Sequence, residues 1–264
     1  MILDKIAAKT KIRLEELKAV KPYEAVKTAA LALPPGGGDF AFENALKTAD
    51  MAFICEVKKA SPSKGIIAEH FPYAEIARQY ESAGANAISV LTEPHFFLGS
   101  DEYLKEIKQT VKLPVLRKDF TIDPYQIYEA KLLGADAVLL ICALLDTMQL
   151  REYIKTAHSL GLSSLVEAHD EKEIHSALEA GARVIGVNNR NLKTFEVDIT
   201  TSARLRELVP SDRVFVSESG IKTAGDIAEL RRNGTDAVLI GETLMRSGNI
   251  PEELSRLRGG GNNP

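Results

Sequence analysis

The sequence predicts an α/β protein built as a single (β/α)8 barrel with an N-terminal helical extension. Three observations lead there. First, four segments repeat one phrase, a small-residue turn running into an apolar strand: Ala83-Gly84-Ala85-Asn86-Ala87, Leu133-Gly134-Ala135-Asp136-Ala137, Ala180-Gly181-Ala182-Arg183-Val184 and Asn233-Gly234-Thr235-Asp236-Ala237. Second, the strand-like runs are near-continuously apolar, as they are when helices cover a parallel sheet. Third, no Gly-x-Gly-x-x-Gly follows any strand, which argues against an open dinucleotide-binding sheet.

Taken in order, residues 1–50 form the extension. Leu3, Ile6, Ala7, Leu14 and Leu17 share one side of a predicted helix, which the Pro/Gly-rich stretch 33–39 breaks. A second short helix is predicted over 40–49. The barrel proper spans 51–258, within a single domain of 1–258. Its strands are predicted at 51–55, 87–90, 113–118, 137–140, 163–167, 184–187, 213–218 and 237–240. Helical stretches lie between them at 72–83, 100–111, 124–133, 146–160, 170–180, 200–209 and 223–233. In each repeat the glycine stops the preceding helix and lets the next strand begin. Residues 259–264, Gly-rich and polar, read as a disordered tail.

Bulk composition removes several function classes. The chain has 264 residues, 45% hydrophobic and 27% charged, with a formal net charge of −4. That balance argues against a nucleic-acid partner, and an anionic ligand would be held by local cations and backbone amides. Charges interleave with apolar residues from Met1 to Ile6, so neither a signal peptide nor a membrane span is predicted. Cys55 and Cys142 lie in apolar runs with no metal or redox spacing, and two reduced buried thiols point to the cytoplasm. Nothing in the sequence calls for a cofactor or a metal. No exposed strand or coiled coil asks for a partner, so a monomer or weak homo-oligomer is expected.

Chemistry concentrates where strands run into the loops that follow them, the end at which barrels of this kind carry their active sites. After the apolar run 51–55 come Glu56-Val57-Lys58, and strand alternation puts Glu56 and Lys58 on one face. Opposite charges on an otherwise buried face are costly unless that face opens onto a polar site. Lys118 ends the third strand, Glu167 the fifth, Asn188 the sixth with Arg190 beyond it, and Glu218 the seventh. Any one of these could be a solvated rim charge. Together they converge on one mouth as a set that can exchange protons and bind anions.

A phosphate site is predicted beside them. Ser219 and Gly220 follow strand seven, Gly241 and Glu242 follow strand eight, and Ser61 in the first loop lies next to both around the ring. Glycine lets backbone N–H groups approach a ligand.

Glu56-x-Lys58 with Ser61-Pro62-Ser63, Leu116-Arg117-Lys118-Asp119-Phe120, Leu165-Val166-Glu167, Gly186-Val187-Asn188-Asn189-Arg190-Asn191-Leu192 and Ser217-Glu218-Ser219-Gly220-Ile221 resemble the indole-3-glycerol phosphate synthase family over essentially residues 2–258. The resemblance implies ring closure of the phosphosugar 1-(2-carboxyphenylamino)-1-deoxyribulose 5-phosphate, with loss of carbon dioxide and water. It implies Lys118 as general acid on the ketone, and Glu167 with Lys58 and Glu56 in the dehydration. Asn188 and Glu218 would hold sugar hydroxyls, Arg190 would add positive field, and Phe97 and Phe120 would wall the aromatic ring. Glu242 would contribute only its backbone N–H, and the N-terminal helix would lie over the mouth. Three other readings stay open: a different phosphosugar barrel such as phosphoribosylanthranilate isomerase or the tryptophan synthase α subunit, a Schiff-base aldolase using Lys118 as nucleophile, and a non-catalytic phosphate-binding barrel.

Overall fold

The computed structural model describes residues 1–34, 40–48 and 50–259. Most of the predicted break at 33–39 and of the predicted tail at 259–264 lies outside the described residues. Eight parallel strands close into a barrel: β1 Ala52–Val57, β2 Ala87–Leu91, β3 Val115–Lys118, β4 Ala137–Ile141, β5 Ser163–Ala168, β6 Val184–Asn188, β7 Val214–Glu218 and β8 Ala237–Ile240. Each pairs with the next in sequence, and β8 returns to β1 with Ala52 opposite Ala237 and Ile54 opposite Leu239. The first loop adds a two-residue strand pair, Ala60–Ser61 with Gly65–Ile66.

The extension holds three helices, not two: α1 Ile2–Val20, α2 Tyr23–Ala32 and α3 Ala41–Lys47. A single helix up to the break at 33 was the expectation, and the chain departs from it at Lys21-Pro22. Lys21 is extended (φ −132°), and Pro22, lacking an N–H, cannot continue α1. The outer layer is α4 Tyr73–Ser82, α5 Asp101–Thr110, α6 Pro124–Leu133, α7 Thr147–Ser159, α8 Glu171–Ala180, α9 Thr200–Arg206, α10 Ala224–Arg232, the short α11 Glu242–Met245 and α12 Ile250–Leu257. Asp146 and Thr223 start α7 and α10 with reciprocal capping boxes, through Gln149 and Asp226.

The repeated phrase has a structural reason beyond its glycine, whose φ is positive at all four positions. Its polar member ties down the start of the preceding strand: Asn86 Oδ1 accepts from Phe53 N (2.9 Å), Asp136 Oδ2 from Val115 N (2.8 Å) and Asp236 Oδ2 from Phe215 N (2.7 Å). The third repeat has Arg183 there, which instead pairs with Glu43 of α3 at 2.8 Å. That pair helps seat α3 under the barrel. Phe42 and Leu46 pack, fully buried, against the inward side chains Ile54, Leu116, Leu165 and Val216, so the floor is closed and only the opposite end is open.

Candidate active site

Strand alternation delivers the functional groups to the open end. Inward positions begin as packed apolar layers and finish polar: Ala52 and Ile54 precede Glu56, Leu116 precedes Lys118, Leu165 precedes Glu167, and Val214 and Val216 precede Glu218. They surround a cavity of about 620 Å³. Every residue singled out from the sequence lines it: Glu56, Lys58, Lys118, Glu167, Asn188, Glu218, Ser61, Phe97, Phe120, Arg190, Ser219, Gly220, Gly241 and Glu242. Ile2, Leu3 and Ile6 of α1 also line it, so the N-terminal helix does cover the mouth.

At the centre is a buried charge chain. Lys58 Nζ lies 2.6 Å from Glu56 Oε1, Lys118 Nζ 3.5 Å from Glu56 Oε2, and Lys118 Nζ 3.1 Å from Glu218 Oε2. Burial alone would raise the Glu56 carboxyl, but Lys58 and Lys118 outweigh it and hold it down at about 2. Burial works against the Lys118 ammonium, yet Glu218, Glu56 and Glu167 together push its pKa well above the usual lysine value. Glu218 moves the other way from Glu56. Burial raises it above the ordinary carboxylate range, and the charges of Glu167 and Glu56 add to that effect against the opposing pull of Lys118. Among the described residues Glu218 Oε1 has no hydrogen-bond partner.

Two glycines make this chain possible, a role the sequence reading did not assign them. A Cβ at Gly186, inward on β6, would overlap Glu218 Oε1, and one at Gly241 would lie 2.5 Å from Glu56 Oε1 and 3.0 Å from Lys58 Nζ. Phe97 and Phe120 form one wall, ring centroids 5.9 Å apart and tilted by 37°. Glu93, buried, holds the loop that carries Phe97 by accepting from the N–H groups of His95, Phe96 and Phe97 at 2.7–3.1 Å.

The opposite wall is the end with Ser61, Ser219, Gly220 and Gly241. Ser219 (φ 69°) and Gly220 (φ 86°) turn sharply after β7. Ser219 Oγ donates to Asn188 Oδ1 at 2.9 Å, joining the two strand ends. Asn189, given no role of its own in the sequence reading, is buried and pins this corner. Its amide donates to Ser217 Oγ and Ser219 O, while its oxygen accepts from Ser202. Lys222 and Arg246 add cations to the cavity lining that sequence patterning did not select. Glu242 pairs its carboxylate with two cations of the lining, Arg246 at 3.2 Å and Lys64 at 3.6 Å. Arg190 donates to Phe195 O at 3.1 Å. Among the described residues no group of three His, Cys, Asp or Glu side chains is placed to hold a metal ion.

Fold and mouth together define a (β/α)8-barrel enzyme whose open end gathers lysines and carboxylates that can exchange protons. A family model described as indole-3-glycerol phosphate synthase matches residues 3–257, and the chain belongs to that family. It is 70% identical to the indole-3-glycerol phosphate synthase of Ruminiclostridium cellulolyticum over 98% of this chain and 99% of that one. It is 60% identical to the same-named protein of Endomicrobium trichonymphae over 98% and 100%. Among solved structures, 3-hexulose-6-phosphate synthase from Salmonella typhimurium is similar in fold, with a TM-score of 0.65 at 15% identity, covering 79% of this chain and 97% of that one.

Proposed function

We propose that the cavity binds 1-(2-carboxyphenylamino)-1-deoxyribulose 5-phosphate and turns it into indole-3-glycerol phosphate through the residues named above. The observation that carries this is the position of Lys118, a buried ammonium held by Glu218 and Glu56 beside the Phe97–Phe120 wall. The phosphate is taken by the backbone N–H groups at Gly220 and Gly241 with Ser61 and Ser219, which anchors the sugar so that its ketone faces Lys118. The aromatic ring lies against Phe97 and Phe120.

Lys118 hydrogen-bonds the ketone oxygen. As the ring carbon bearing the carboxylate attacks the ketone carbon, the oxygen becomes alkoxide-like and strong enough to draw the proton from Lys118. Breaking the carbon–carboxylate bond releases carbon dioxide and returns the electron pair to the ring. Dehydration then removes the new hydroxyl as water. Glu167 takes the proton, and Lys58, held by Glu56, supplies one to the departing oxygen. Glu218 and Asn188 hold the remaining sugar hydroxyls. The two free thiols fit a reducing cytoplasm.

The test is to mix the purified protein with this substrate in EDTA-containing buffer and follow indole fluorescence. Wild type turns it over, and Lys118→Met, still folded by circular dichroism, loses about 10²–10⁴-fold in kcat, the usual worth of a positioned acid. A flat trace from folded wild type would overturn the reading, as would a Lys118→Met variant of near wild-type rate. Borohydride trapping with substrate gives a covalent adduct only if Lys118 forms an imine.

A further inference from the structure

His169 lies just past the end of β5 and was not among the residues the sequence offered. It has a carboxylate at each ring nitrogen. Nδ1 is 3.0 Å from Glu173 Oε2, and Nε2 is 3.5 Å from Glu167 Oε1. Glu173 Oε2 also accepts from the His169 backbone N–H at 2.7 Å, so the ring is fixed at two points of one residue. Glu173 itself sits in the first turn of α8, where the helix N-terminus favours negative charge, its own N–H donating to Asp170 Oδ1.

A carboxylate only accepts, so Nδ1 carries a proton. If the imidazole were neutral, the lone pair on Nε2 would face a Glu167 oxygen across 3.5 Å, two acceptors with nothing between them. Nε2 is buried and, among the described residues, has no hydrogen-bond partner, so no other donor there resolves the conflict. A proton on Nε2 removes it.

We propose that His169, as the imidazolium bridging Glu173 and Glu167, is a positioning residue for the active-site base. It holds Glu167 Oε1 from behind and leaves Oε2 for the cavity. The assignment of Glu167 as base rests on the function proposed above; the charge state of His169 does not. The ionisable groups facing the ring are Glu167 and Glu218 from the strand ends and Glu173 from α8, with the Cys142 thiol and Asp170 behind them. Burial disfavours the imidazolium, but the hydrogen bond to Glu173 and the charges of Glu167, Glu173 and Glu218 outweigh it and raise the His169 pKa. As pH rises through that raised value the bridge loses its proton, and Glu167 loses its support.

Two measurements on the intact protein test this. In ¹⁵N NMR of the imidazole, both ring nitrogens of His169 are protonated at pH 7, and Glu173→Gln moves the titration to lower pH. In turnover, His169→Leu lowers kcat about tenfold, as expected for one lost ion-pair contact at a working base. KM stays within about twofold because no substrate contact is removed. Glu173→Gln shifts the alkaline limb of kcat by the same amount as it shifts the NMR titration, which a merely structural contact would not do. A neutral His169 at pH 7 in wild type overturns the proposal. So does a His169→Leu variant with an unchanged kcat and pH profile. If wild type shows no turnover, the functional reading fails while the NMR titration still decides the bridge.

Discussion

Gly186 leaves the space that the Glu218 carboxylate occupies. The two residues face inward on adjacent strands, and any side chain at Gly186 would overlap Glu218 Oε1. The register sets Gly186 against Glu167 on one side and Val216 on the other, so this hole lies in the layer just under the mouth. Glu218 folds into it and meets Lys118 at 3.1 Å.

Gly186→Ala therefore displaces Glu218 without touching substrate. The backbone of Gly186 is ordinary extended strand, so no conformational strain accompanies the change. We expect kcat to fall by about 10²-fold, the cost of misplacing a catalytic group by about 1 Å. Steady-state kinetics on a variant whose melting temperature stays within a few degrees of wild type checks this. Unchanged kcat would mean that Glu218 has another resting place with equal function.

Much of this was legible in the sequence because strand alternation is rigid. Once the Ala52-to-Val57 run is a strand, Glu56 must follow Ile54 into the barrel, and the same logic placed Lys118, Glu167 and Glu218. The four glycine turns, the three strand-like runs between them and the opening run together set the count of eight βα units. What escaped was whatever depends on contacts between distant segments. Arg117 stands beside Lys118 in sequence, yet it points outward into a buried cluster with Asp101 at 2.9 Å, Glu129 at 2.7 Å and Thr92. Gly186 looked like a strand glycine and Gly241 like a phosphate-loop glycine, and only the neighbouring carboxylates show why a side chain is forbidden at either. His169 escaped for another reason: its partners Glu167 and Glu173 are close in sequence, but only the turn from β5 into α8 brings both to its ring.

Arg13 ties α1 to the strand that carries Lys118. Its guanidinium reaches both oxygens of the buried Asp119 at 2.9 Å, and Asp119 also accepts from Thr92 Oγ1 and the Phe120 N–H. These partners and Arg117 hold the Asp119 carboxyl below its usual range even though burial pulls the other way. Arg13→Met leaves Asp119 buried with fewer partners, and urea denaturation should show a loss of about 1–3 kcal/mol. Because Ile2, Leu3 and Ile6 roof the cavity, KM should also rise several-fold, more than kcat falls. Equal stability and equal KM would mean that α1 is held by Lys18–Asp123 and packing alone.

Phe120 bears on binding, not on proton transfer. It lines the cavity next to Phe97 and carries no ionisable group. Phe120→Ala removes one wall for an aromatic ring, so KM should rise roughly tenfold, as for about 1.4 kcal/mol of lost apolar contact. Its kcat should change less. The check is a full substrate titration; a loss confined to kcat would assign Phe120 to aligning the attacking carbon instead.

His158 supplies a pH dependence of stability at the far end of the barrel from the chemistry. Its ring meets Phe40 edge-on at 5.1 Å, and Arg183 stacks over that same Phe40 ring at 3.8 Å. Burial, with the Arg183 charge adding to it and Glu43 opposing, lowers the imidazole from its usual 6.5 to about 4. Between these values the unfolded chain binds a proton that the folded protein refuses, so stability rises with pH across that window. On acidification the contribution is intact above 6.5, fades from there downward, and is gone near pH 4. His169 acts in a separate window, because its raised value places its proton loss above 6.5. Denaturant melts at pH 7, 6, 5 and 4 should therefore show wild type losing stability faster than His158→Gln over this range. Parallel curves would mean that the His158 ring takes up its proton in the folded state as readily as in the unfolded chain.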